Sequence, residues 1–125
     1  MALTITRNQT PTFFARIAGS NGAAFDVPDF KSGECTVYKS SKYLTSRVPN
    51  SMLTPVPGFE SVAIGADAII PAATVAASGL TYNFKFTFAV DDVFPFADVG
   101  IYFVEFRVYP QSGNPIVWQR TIEVI

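Results

Sequence analysis

The stretch TYNFKFTFAV, residues 81–90, sets Tyr82, Phe84, Phe86, Phe88 and Val90 against Thr81, Asn83, Lys85, Thr87 and Ala89. Successive side chains of an extended chain point to opposite faces, so this alternation reads as a β-strand with one buried and one wet face. The signature returns in Tyr102, Val104, Phe106 and Val108, and again in Ile116, Trp118, Ile122 and Val124. Three such segments decide the class: an all-β chain, built as a sandwich or a small barrel.

Working outward, the turn residues Ser112, Gly113 and Asn114 join the last two of these strands, 101–109 and 116–124, into a hairpin. At the other end, Leu3 and Ile5 alternate with Thr4 and Thr6 in a short first strand, which 8–11 (Asn-Gln-Thr-Pro) interrupts. Proline removes a ladder donor, so Pro11 marks a sheet edge, a bulge, or a crossing from one sheet to another. Alternation resumes over 12–18 with Phe13, Ala15 and Ile17 inward, and Gly19 to Gly22 is a tight turn. A short extended piece, Phe25 to Phe30, precedes a strand over Glu34 to Lys39.

Residues 39–58 carry Pro49, Pro55 and Pro57 and show no period. They read as a long loop with one short edge strand around Tyr43 to Val48, either a contact arm that orders on assembly or a meander. Val62 and Ile64 mark a strand within 59–65. The alanine-rich stretch Asp67 to Ser78 reads as one short helix with Pro71 near its first turn.

The 125 residues amount to one domain, 1–125. Apolar residues make up 49% and aromatic residues 14%, including 12 Phe, whereas charged residues are only 15%. An average soluble domain is about 25% charged. Surplus apolar surface with depleted charge marks contact with another chain. The plainer alternative is that so small a β domain cannot hide all its rings. Nine basic and ten acidic residues give a net charge of −1, which offers nothing to nucleic acid. No apolar run approaches the roughly 20 residues that span a bilayer, and the N-terminus does not read as a secretory signal. The triplet 8–10 (Asn-Gln-Thr) matches a glycosylation acceptor by chance on this reading.

Chemistry has few footholds. The chain has no His, which removes the Ser-His-Asp and Cys-His arrangements and the commonest metal ligand. Cys35 is the single cysteine and alternates with Val37, so it reads as a buried structural thiol in a chain suited to a reducing cytoplasm. Asp91, Asp92 and Asp98 could be imagined around a calcium ion, but aspartates at strand ends ordinarily cap turns. Asp26 and Asp29, flanking Pro28, read the same way. No carboxylate pair stands out as a glycosidase pair, and no cofactor is expected. Arg120 shares a strand face with Trp118, Ile122 and Val124, so it must snorkel to the rim or pair with a neighbouring chain. Ile101, Phe103 and Tyr109 share the opposite face of their strand with Glu105 and Arg107, which suggests a face covered by the 40–58 loop or by another subunit. The Tyr residues and Trp118 could instead form a platform for sugar.

The run 100–109 (GIYFVEFRVY), its Ser-Gly-Asn turn and 117–124 (VWQRTIEV) resemble immunoglobulin-like sandwich domains of tailed-bacteriophage virion proteins. The N-terminal order of strand, Gly19–Gly22 turn and Phe25-Asp26-Val27 is similar to small domains of baseplate and capsid-decoration proteins. The resemblance implies an antiparallel immunoglobulin-like β-sandwich of about seven or eight strands with a long irregular middle loop. It implies a non-enzymatic structural protein of the virion, assembled in the host cytoplasm. Its partners would be other virion proteins, met as a homo-oligomer or on the particle, without nucleic acid or membrane. The candidate subunit contacts are Met52 and Leu53 in the middle loop, Phe94 and Phe96 in the 91–99 loop, outward Phe103, and Arg120. The alternative from another class is a carbohydrate- or receptor-binding module.

Overall fold

A computed structural model of the chain describes residues 3–19, 22, 25–40, 53–75, 81–89 and 94–125, with backbone alone for 71–75 and 81. It is an all-β sandwich. Among the described residues, nine strands run in chain order as β1 (Leu3–Ile5), β2 (Phe13–Ala15), β3 (Phe30–Ser40), β4 (Leu53–Pro55), β5 (Val62–Ile64), β6 (Ile69–Val75), β7 (Thr81–Phe86), β8 (Gly100–Pro110) and β9 (Ile116–Val124). One sheet has the order β1-β9-β8-β3-β4, with β5 also on β3; the other has the order β2-β7-β6.

The hairpin of the last two strands forms as its alternation requires. β8 and β9 pair antiparallel from Gly100↔Val124 to Val108↔Ile116, and the turn uses Gly113 at φ +96°, a conformation that costs glycine nothing. β8 also pairs along most of β3, from Pro110 opposite Phe30 to Tyr102 opposite Lys39. Pro11 marks a crossing: β1 lies parallel to β9 in the larger sheet, whereas β2 pairs with β7 in the smaller one.

The strand count exceeds the expected seven or eight because two three-residue strands share the outer edge of β3. β4 pairs with Tyr38–Ser40 and β5 with Gly33–Cys35. Between them the Val37 N–H donates to the Phe59 carbonyl at 2.9 Å and the Val37 carbonyl accepts from the Val56 N–H at 2.8 Å. A sheet edge is thereby closed by short pieces of chain rather than left as a long template.

The helix expected over 67–78 does not form across its described part, 67–75. A single 3-10 turn, Ala66–Ala68, leads straight into β6, which pairs with β7 through a register shift between Ile69 and Thr74. That irregularity accommodates Pro71 in an extended chain, and burial of Ala68 and Ile69 outweighs the helical preference of alanine. The strand read through Val90 ends at Phe86, and Val90 lies outside the described residues. So does the edge strand expected around Tyr43 to Val48.

One core joins the layers. Tyr102, Val104, Phe106 and Val108 of β8, with Cys35 and Val37 of β3 and Ile122 and Val124 of β9, face Phe13, Phe84 and Phe88. Phe106 is the hub: its ring meets Phe13 at 5.2 Å and Phe84 at 5.5 Å edge-on, and Trp118 stacks on it at 5.2 Å with a 16° interplanar angle. Such ring pairs add roughly 0.5–1.5 kcal/mol each beyond the area they bury. Asn83, expected on the wet face, is buried in the structure, because residues 17 and 25 close over it with their backbone.

Candidate functional site

The contact residues read from sequence go to different places. Phe94 is half-buried and lines a pocket of about 190 Å³ with Lys39, Pro55, Val56, Pro57 and Tyr102. At its rim Lys39 Nζ lies 3.4 Å from Asp98 Oδ2 and 5.7 Å from the Tyr102 ring centre. The Tyr102 hydroxyl donates to the Asp98 carbonyl at 2.9 Å, which ties the 94–99 segment to β8. Leu53 opens β4 opposite Ser40 and is half-buried. Met52 lies outside the described residues.

Phe96 is a correction. It is fully buried, with its ring 5.4 Å from Tyr102 and 6.4 Å from Phe88, and its carbonyl accepts from the Asn8 N–H at 2.9 Å. The loop folds back into the core, so this ring packs the interior and offers no surface to a partner.

Phe103 sits on the outer face of the larger sheet, half-buried, opposite Tyr38 on β3 and Thr121 on β9. Its neighbours on that face include Glu105 and Arg107, paired at 3.2 Å, and Tyr109, whose hydroxyl donates to Glu34 Oε1 at 3.4 Å. The hydrogen bond to Glu105 raises the already high Arg107 pKa, and burial raises that of Tyr38. Ile101 and Ser40, at one end of this sheet, are buried. Of the 40–58 loop, expected with another subunit as the alternative to cover this face, residues 41–52 lie outside the described residues.

Arg120 snorkels. It is exposed, and its Nη2 donates to the Phe14 carbonyl across to the other sheet at 3.1 Å. There it borders a groove of about 380 Å³, lined by Leu3, Thr12, Phe13, Phe14, Arg120, Thr121 and Ile122. Phe14 is 38% exposed, packs edge-on against Tyr82 at 4.7 Å, and has Lys85 Nζ 6.0 Å from its ring centre. Alternation over 12–18 counted only Phe13, Ala15 and Ile17. A phenylalanine at the intervening position, on the nominally wet side, was the signal that this groove had left in the sequence.

The carboxylates behave as caps and surface charges where they are described. The Asp26 side chain accepts from the Asp29 N–H and the Asp26 N–H donates to Asp29 Oδ2 at 3.0 Å, a reciprocal capping box on the 3-10 turn Val27–Asp29, and the Val27 N–H also donates to Asp26 Oδ1 at 2.8 Å. Asp98 pairs with Lys39, whereas Asp91 and Asp92 lie outside the described residues. Among the described residues no three metal-ligating side chains come together. Burial, and secondarily Glu34, pushes the Cys35 thiol up to about 12, so it is neither a ready nucleophile nor a ready ligand. The described surface therefore offers two apolar hollows, one edged by the Lys39–Asp98 pair and one by Arg120. No family model, no curated protein and no solved structure matches the chain.

Proposed function

We propose that this chain is a non-enzymatic structural protein of a tailed-phage particle that works by burying apolar surface against neighbouring copies and other virion subunits. The observation that carries the contact part is the distribution of exposed apolar side chains. Leu3, Phe14, Val99 and Val117 are 44%, 38%, 47% and 47% exposed, in a chain with only 15% charged residues. The particle part rests on the resemblance of 100–109 and 117–124. The immunoglobulin-like part is supported by strand order. The sheets β2-β7-β6 and β4-β3-β8-β9 follow the order of strands B-E-D and C′-C-F-G in variable-type immunoglobulin domains.

The test is sedimentation of a lysate from phage-producing cells that encode the chain. The proposal expects the chain to travel with intact particles and to remain with them through a salt wash. Recovery only among the free proteins would overturn it.

A carbohydrate-binding reading draws on Tyr38, Phe103 and Tyr109, half-buried rings on a sheet face that also carries Glu34, Glu105 and Arg107. Binding to a glycan array that is lost on Tyr38→Ala would favour it over the structural role.

A further inference from the structure

Among the described residues, the larger sheet ends in an edge that is only partly closed. β1 covers β9 at Ile122–Val124 alone, and the Ile125 N–H donates to the Ile5 carbonyl at 2.9 Å. Backbone groups alternate sides along a strand, so the odd-numbered residues of β9 turn their N–H and C=O toward β1. Val117 and Gln119 turn theirs the same way, upstream of β1, where no strand lies among the described residues, and Thr121 turns its N–H there as well, whereas the parallel register gives its C=O to Leu3. The groove between β9 and β2 meets this edge at Arg120–Ile122, where Phe13 and Ile122 floor it and Leu3 and Phe14 flank it.

Its charge is one-sided. Arg120 spends a guanidinium N–H on the Phe14 carbonyl and has no carboxylate partner among the described residues, and Lys85 stands over the other side of Phe14. An arginine at a solvated rim keeps further donors in a planar fork that fits a carboxylate.

We propose that β9 binds an acidic, extended segment of another protein, which adds as a strand along Val117–Thr121 and places apolar side chains in the groove and a carboxylate on Arg120. Three features specify this occupant. The open N–H and C=O groups call for extended backbone, the alternation of a strand sends every second side chain into the groove, and the unpaired cation calls for an acid. β1 already occupies the adjoining length of the same edge, so the added strand continues a line that the sheet has begun. This inference rests on the contact reading above and gives it one partner of defined chemistry.

The test is amide hydrogen exchange and NMR titration of the full chain with a blocked peptide, Thr-Val-Thr-Glu-Thr-Val-Thr, and its counterpart with Lys in place of Glu. The glutamate peptide is expected to slow exchange at Val117, Gln119 and Thr121 by at least about tenfold, and the lysine peptide to bind at least about tenfold more weakly. Arg120→Glu reverses that preference. Gln119→Pro, which removes an outward N–H while sparing the bonds to β8, weakens both peptides. Retained exchange protection across β3 and β8 verifies that each variant is folded. Equal binding of the two peptides, shifts confined to other surfaces, or concentration-dependent protection of this edge without peptide (a second copy in place) would each overturn the proposal. Peptide failure alongside self-association seen by light scattering would remove this inference and leave the contact reading standing.

Discussion

Asn83 and Ile17 are joined by two hydrogen bonds: the Ile17 N–H donates to Asn83 Oδ1 at 2.7 Å, and Asn83 Nδ2 donates to the Ile17 carbonyl at 2.8 Å. The second Nδ2 hydrogen reaches the Phe25 carbonyl at 3.0 Å. A side-chain amide thus does for this loop what a paired strand does elsewhere, satisfying backbone groups where β2 has ended. Asn83→Ala removes the partner of the Ile17 N–H and of the Phe25 carbonyl, while the Ile17 carbonyl keeps the Phe25 N–H at 3.1 Å, and should cost about 2–3 kcal/mol. Urea unfolding is expected to show a lower midpoint at an unchanged slope.

Phe94 and Phe96 should part company under substitution. Phe96→Ala removes a fully buried ring and is expected to cost about 3–5 kcal/mol. Phe94→Ala, at a half-buried pocket wall, should cost far less stability and act on association instead. Thermal unfolding and solution mass, measured on both variants, separate the two roles.

Much of the larger sheet was legible because its strands obey a period of two. The alternation at Tyr102, Val104, Phe106 and Val108 is the alternation of burial, and Pro11 sits where the chain crosses between sheets. What was illegible depended on distant chain. Asn83 looked wet because nothing local announces that the backbone of residues 17 and 25 will cover it. Phe96 looked like a contact because a Phe-Pro-Phe loop carries no sign of folding inward, an outcome fixed by Tyr102, Phe88 and Asn8. Pro71 and the alanines argued for a helix, and pairing with β7 overrode them. Of the candidate sites, Phe94 and Phe103 are half-buried and Arg120 is exposed, but Phe14, the exposed ring beside Arg120, is not marked by the alternation over 12–18, which singles out only Phe13, Ala15 and Ile17.

Cys35 gives a pH signature. Its thiol pKa rises from 9.0 to about 12 on folding because burial disfavours the thiolate. Above pH 9 the unfolded chain loses a proton that the folded chain keeps, so this contribution to stability is whole below pH 9 and is lost as pH rises toward about 12. Denaturation midpoints should fall across that window, and less steeply in Cys35→Ala. In the native protein at pH 8 the thiol should resist iodoacetamide, and it should react once the chain is unfolded.

Trp118 is the only tryptophan and lies between the face of Phe106 and the edge of Phe84. Phe106→Ala should cost about 3–5 kcal/mol and shift Trp118 emission to longer wavelength, since the ring loses its apolar wall. Unchanged emission would place Trp118 elsewhere.

The central claim is that apolar surface on this sandwich exists to be covered by neighbouring copies. Light scattering across a concentration series tests it most directly, with Phe94→Ser and Phe103→Ser beside the unaltered chain. The mass of the unaltered chain is expected to rise from 13.6 kDa to a defined multiple, and that of the variants to return toward 13.6 kDa. A mass of 13.6 kDa at every concentration, alike in all three proteins, would contradict it.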